Sequence, residues 1–227
     1  FNASTFVNVP GKLQFDVDEQ TLSFGLTDGG SLQIGKEVFD YYTNISGTTL
    51  VDGDVVSVVG VSGNRTAVAL TDIRNPQSGS AAIGMVTFGA PNNEKVRVTK
   101  IGDVHKLNTA SFTEGMPVYV DASNPGKLTQ TPPTAPNTFI HVGVVEVAHA
   151  VNGIICVDVR PVGKLTGLSD VDGYPLTTDG QMLVWHKDTS TWDADKNIND
   201  YLPKQISTDT HFTTGFVNRT DSSLVFN

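Results

Sequence analysis

Along most of this chain apolar and polar residues alternate with a period of two, the signature of strands with one covered face. The first instances are Lys12-Leu-Gln-Phe-Asp16 and Thr21-Leu-Ser-Phe-Gly-Leu26, with residues 16–20 as the turn between them. The pattern predicts a hairpin within residues 1–35 that is too small to stand alone. From Lys36 the runs become Val-rich; residues 36–42 read equally as one helical turn or a strand. Asp52-Gly-Asp-Val-Val-Ser-Val-Val59 then returns 62 positions later as Glu114-Gly-Met-Pro-Val-Tyr-Val-Asp121, counted from Gly53 to Gly115. Ile83-Gly-Met-Val-Thr-Phe88 is echoed by Val142-Gly-Val-Val-Glu-Val147, and Glu94-Lys-Val-Arg-Val-Thr99 by Gly153-Ile-Ile-Cys-Val-Asp158. Residues 90–93 and 148–152 would turn the hairpin of each copy. Short strands at this spacing, divided by Gly, Asn and Pro turns, predict a mainly β fold. The expected architecture is a duplicated β-barrel or β-sandwich over residues 36–163, flanked by small hairpins. Within it, Asn124-Pro to Thr134-Ala-Pro136 is a proline-rich surface connection, because proline removes a ladder donor. It reads either as a crossover between layers or as a loop packed on a neighbouring subunit.

A different texture begins at residue 164. Leu168-Ser-Asp-Val-Asp-Gly173 is acidic and turn-rich, and Gln181-Met-Leu-Val-Trp185 and Ser190-Thr-Trp192 enclose a polar loop. That is a hairpin, and Trp185 and Trp192, the only tryptophans, face each other across it. Two strands alone are marginal in water, so the rings are expected to pack on something else, a partner chain being the natural candidate. Fully buried, each ring would gain roughly 5 kcal/mol before entropy losses, taking ~200 Å² of apolar surface per ring. The segment 197–210 is polar with anchors at Ile198, Tyr201, Leu202 and Ile206, and Pro203 limits any helix to a turn or two.

The run L-S-D-V-D, then D-G-Q-M-L-V-W, a short polar loop and T-W, over residues 165–192, resembles a segment that recurs in the fibre proteins of tailed bacteriophages. A looser resemblance extends to GKLQFD, TLSFGL and GGSLQIGKEVF near the N-terminus and to SFTEGMPVYVDASNPGKLTQTPPTAP. In that family such a segment resembles a connector between beads of a trimeric fibre. The resemblance implies a structural virion component, a particle-surface appendage, with residues 164–227 as an extended connector intertwined with symmetry mates. It implies a homotrimer whose interface includes Met182, Leu183, Val184, Trp185, Trp192, Tyr201 and Leu202. Further implied partners are capsid, tail or baseplate proteins and, in the alternative reading, a host surface glycan.

Composition sharpens this by exclusion. Charged residues make up 17 % of the 227 positions, the net charge is −9, and no basic patch forms, which argues against nucleic acid. No apolar run approaches the ~18 residues a bilayer span needs, so membrane insertion is not expected. The first residue is Phe1 and the last stretch, Ser223-Leu-Val-Phe-Asn227, reads as a strand cut in mid-course, so a longer protein is expected. Cys156, the single cysteine, lies in the apolar run 154–159 and is expected to be buried and inert.

No nucleophile, phosphate-loop or zinc-protease motif is present, and neither catalytic residue nor cofactor is assigned. His105, His141, His149, His186 and His211 are read as surface or turn residues. Of these, His141 and His149 would be roughly 26 Å apart along a strand, too far to share a zinc. Asp170-Val-Asp172-Gly173 opens like a calcium loop, but the twelfth position is Gln181 and cannot supply a bidentate carboxylate. Asp170, Asp172, Asp193 and Asp195 lie near the tryptophans, yet in turns rather than around a cleft, so glycan cleavage is not expected.

Overall fold

A computed structural model describes residues 7–17, 20–163, 170–172 and 181–197, and within them strands dominate, with a single five-residue helix. The chain divides into two compact units, Phe1–Val162 and Gly163–Asn227.

The predicted N-terminal hairpin is present as β1 (Leu13–Asp16) and β2 (Thr21–Gly25), paired antiparallel. A third strand, β3 (Ser31–Gln33), was not expected; it follows a turn in which the Asp28 carboxylate accepts the Gly30 N–H and Gly29 has φ +85°. The alternation is real, but its polar side is the covered one. Asp16 and Ser23 are buried, whereas Leu13, Phe15 and Leu22 are exposed.

The undecided residues 36–42 contribute to a strand, β4 (Val38–Asn44). Tyr42 enters a core and the strand pairs with a long β8 (Lys95–Leu107), so tertiary pairing decides what local propensity left open. Between them come β5 (Val55–Ser62), β6 (Arg65–Leu70), a short α1 (Pro76–Ser80) and β7 (Ala82–Phe88). The helix starts on an Asn75 cap whose side chain accepts the Gln77 N–H, with proline just inside. The pairings β8–β4–β6–β5–β7–β8 return to their start, which closes a five-stranded barrel.

The second copy comprises β9 (Pro117–Val120), β10 (Leu128–Thr129), β11 (Ile140–Val147) and β12 (Gly153–Pro161). Its fifth strand is borrowed. The first half of β8 pairs with β4, placing Tyr41 opposite Arg97 and Tyr42 opposite Val96. The second half pairs with β12, placing Asp103 opposite Cys156 and Val104 opposite Ile155. These are the same pairings displaced along the chain, so β8 ends one copy and begins the next. Gly102 sits at the join with φ +123°, where a Cβ would meet the Lys36 carbonyl at 2.7 Å. The second copy stays open, with β10 as an edge strand paired to β9.

Hydrogen bonds repeat at the same displacements. The Gly53 N–H donates to Val86 O, and the Gly115 N–H to Val145 O. The Asp52 carboxylate accepts the Gly89 N–H at 2.9 Å; the Glu114 carboxylate accepts the Ala148 N–H at 2.9 Å. Gly53 and Gly115 both have positive φ, +93° and +73°, which is why each acidic residue is followed by glycine.

Two cores result. Val56, Val68, Val86, Val96 and Val98 fill the closed barrel. Val104, Val118, Ile140, Val145, Ile155 and Val157 fill the open copy, joined by Val55 and Met85 from the outside of the first. Adjacent residues such as Val55 and Val56 thus enter different cores, so β5 and β7 are apolar on both faces. The connection after β9 is a hairpin loop into the edge strand β10, and it seats against the first copy. The Val55 N–H donates to Gly126 O, the Gly126 N–H to Thr71 O, and Lys127 pairs with the buried Asp54 carboxylate.

In the second unit the predicted hairpin is β14 (Gln181–His186) and β15 (Thr191–Asn197). The acidic segment adds β13 (Val171–Asp172), parallel to β15, and Asp170 O accepts the Trp192 N–H.

Candidate functional site

The tryptophans arrive opposite each other because the turn at residues 187–190, with Ser190 at φ +56°, sets the register. Trp185 and Trp192 are direct cross-strand partners with ring centroids 5.5 Å apart and planes tilted by 56°. They remain 46 % and 41 % exposed, so nearly half of each residue is still open to water. Leu183 and Val184 beside them are half-buried. Tyr201, Leu202 and the side chain of Met182 lie outside the described residues, as does His211. His186 lies 3.8 Å from Asp193 across the hairpin.

The residues considered for calcium and glycan chemistry lie on this small sheet, where Asp172 is the strand partner of Asp193. Asp170 contributes its backbone carbonyl to β15, and Asp172 is in β13. The side chains of Asp172 and Asp195 and residues 173–180 are outside the description. His149 is a turn residue: its Nδ1 accepts the N–H groups of Val151 and Asn152. Asn44, one of four residues in an N-x-S/T frame, is buried and donates to Thr48 O and Ala90 O.

Cys156 contradicts the expectation of burial. Within β12 the side chains of Ile155 and Val157 point into the core, so the alternation puts the thiol on the outer face, exposed. There its donor atom lies within 4.8 Å of those of Asp103 and Glu146, the neighbours that β8 and β11 supply. Partial burial raises the thiol pKa, and a hydrogen bond to Asp103 and the surrounding carboxylates raise it further. Glu146 is also raised, first by burial and then by Asp103, with His105 opposing. A protonated thiol is a poor nucleophile and a poor metal ligand. The cluster is a hydrogen-bonded surface feature.

Sequence reasoning passed over the most tightly built polar site. Arg97, between core residues Val96 and Val98, reaches the opposite side of its strand and meets Asp28 from the N-terminal sheet, Nη1 lying 2.7 Å from both carboxylate oxygens. Both side chains are nearly buried, at 11 % and 9 % exposure. The Thr87 hydroxyl and carbonyl accept from the same guanidinium, Tyr41 donates to Asp28, and the Phe39 ring lies 5.4 Å from the charge. The Tyr41 hydroxyl is raised in pKa by burial and then by the Asp28 carboxylate. A Cβ at Gly30 would lie 2.4 Å from the guanidinium, so a larger residue there would have to displace Arg97. An arginine inside a Val-rich run was the signal: a buried guanidinium requires a partner. A cleft of about 780 Å³ runs beside this pair, lined by charges of both signs, among them Asp16, Asp52 and Lys106. The Arg97–Asp28 pair is spent on joining the sheet to the barrel.

No helix among the described residues is long and apolar enough to cross a membrane. No protein-family model matches the chain, and no curated protein sequence is significantly similar to it.

Proposed function

We propose that this chain is a structural component of a tailed-bacteriophage particle, a fibre or appendage protein that assembles as a trimer at the particle surface. The observation that carries the reading is the Trp185–Trp192 pair, two half-exposed indoles on a three-stranded sheet with too few residues to enclose a core. Such rings are anchors for a protein interface more often than isolated surface residues. With about half of each residue already covered, docking gains roughly 2 kcal/mol per ring rather than the 5 of full burial. Leu183 and Val184 belong to the proposal by their place in β14, and Met182, Tyr201 and Leu202 by sequence position. Capsid, tail or baseplate proteins are the remaining proposed partners. The family resemblance supplies the trimer and the virion location, and the duplicated β domain serves as a rigid bead between attachment and distal ends. No catalytic role is proposed.

Light scattering behind size exclusion tests it. The 227-residue chain is expected to be trimeric, and Trp185→Ala with Trp192→Ala to lower the oligomeric state while the β domain stays folded. Unchanged trimers in the double variant would remove the tryptophan contact from the proposal.

A further inference from the structure

The duplication presents one surface twice, with opposite polarity. In the first copy, Arg97 and Tyr41 hold the Asp28 carboxylate that a separate sheet brings to them, and Thr87 accepts from the guanidinium. The strand pairing of Tyr41 with Arg97 recurs as that of Asp103 with Cys156. Glu146 follows Val145 as Thr87 follows Val86, each after the valine whose carbonyl accepts a turn glycine N–H. Asp103, Glu146 and Cys156 are therefore the second copy's counterparts of Tyr41, Thr87 and Arg97. Where the first copy offers a guanidinium and a phenol, the second offers two carboxylates and a thiol, their donor atoms mutually within 4.8 Å. Among the described residues no salt bridge neutralises Asp103 or Glu146, whereas Asp28, Asp54, Asp72 and Asp158 each have a cation. Lys106, close by on the same strand, pairs with neither. The like charges oppose each other: burial and then Asp103 raise the pKa of Glu146, with His105 acting the other way.

We propose that this second surface receives an arginine from a partner protein, whose segment lies in the adjoining cleft. Arg97 and Asp28 are spent on each other, and of the remaining charges lining the cleft Asp16, Glu37, Asp52 and Asp103 outnumber Lys106. Such a cleft concentrates a negative potential and draws a cation. The planar fork of arginine donates to Asp103 and Glu146 together, the charge-reversed counterpart of Arg97 taking Asp28. At about 780 Å³ the cleft is much larger than a lone ion requires and lies within the ~300–1,000 Å³ of ligand sites. Phe88, 39 % exposed in its wall, offers a ring to the aliphatic stem of a basic side chain. A metal ion fits less well, because it would have to displace the proton of a thiol that burial and the neighbouring carboxylates keep protonated. Neither tryptophan takes part, so this inference and the fibre proposal fail separately.

The test is a titration of the 227-residue chain, at low salt, with a blocked glycine–arginine–glycine peptide, followed by backbone amide shifts. The amides of residues 103–106 and 146 should move and saturate, with a dissociation constant on the order of 1 mM. The same peptide with uncharged citrulline in place of arginine should leave them still. Asp103→Asn with Glu146→Gln should weaken binding at least tenfold. Both side chains are on the outer face, so amide shifts elsewhere in the variant should match the parent and report an intact fold. Asp40→Asn with Glu94→Gln removes the same charge from exposed positions outside the cleft and should change little. Equal losses in the two variants, or shifts spread over the acidic surface, would reduce the effect to net charge and overturn the inference. So would equal binding of the citrulline peptide, or no saturation with arginine. Zinc chloride alone is the last arm: if it moves these amides and the peptide does not, the cluster is an ion site and the inference falls.

Discussion

The duplicated domain and the small sheet before it use the same sequence device and end in opposite states. In both, apolar residues occupy every second position of short strands. In β5 and β7, Val56 and Val86 are buried within the barrel and Val55 and Met85 against the second copy. In β1 and β2, Leu13, Phe15 and Leu22 look outward, while Asp16 and Ser23 are covered. What differs is the supply of a second layer. Ten consecutive strand segments, with β8 counted twice, can cover each other, and three strands of three to five residues cannot. The small sheet instead attaches through polar chemistry, and its apolar side faces outward.

That comparison is most severely tested at the attachment. Arg97→Met leaves the Asp28 carboxylate nearly buried without its cation, and the expected loss is about 3–5 kcal/mol of unfolding free energy in urea titrations. A loss under about 1 kcal/mol would mean that the pair is solvated and that the sheet is held by something else. Next in size is a direct contrast between the two regions. Val56→Ala opens space in the closed core and should cost about 2 kcal/mol. Leu22→Ser, on the exposed face, should stay within about 0.5 kcal/mol when measured at concentrations where the chain is monomeric. Equal losses at the two positions would show that the outer face is covered from within the chain.

The smallest effect concerns the outer face of the open copy. Burial and Asp103 raise the pKa of Glu146, so the folded state binds its proton more tightly than the unfolded chain does. Stability therefore falls as pH rises from the unfolded pKa through the raised folded one, and the cost persists above it. Glu146→Gln should raise the thermal midpoint slightly at neutral pH, with the gain closing on acidification through the carboxylate range. A gain that grows on acidification would reverse the sign of this electrostatic account.

Much of this was written in the chain as local pattern. The acidic-Gly turns at Gly53 and Gly115 mark equivalent points of a duplication, and the hydrogen bonds of Asp52 and Glu114 follow from that equivalence. The hairpin that sets Trp185 against Trp192 was likewise legible, because turn length fixes register between adjacent strands. The Arg97–Asp28 pair was not, since its partners are 69 positions apart and nothing local relates them. Cys156 was misjudged for a related reason. An apolar run with a cysteine in it suggests burial, but the residue sits opposite in phase to Ile155 and Val157.

By itself, then, the sequence determined several hairpins and their turns, which positions share a face, and that one unit occurs twice. Only the tertiary structure decided which face each sheet covers, that β8 serves both copies, and that the first copy closes while the second stays open. The reason is physical. A period of two is a local property of the extended backbone and divides side chains into two sets. Which set is removed from water depends on the layers that distant segments bring to it.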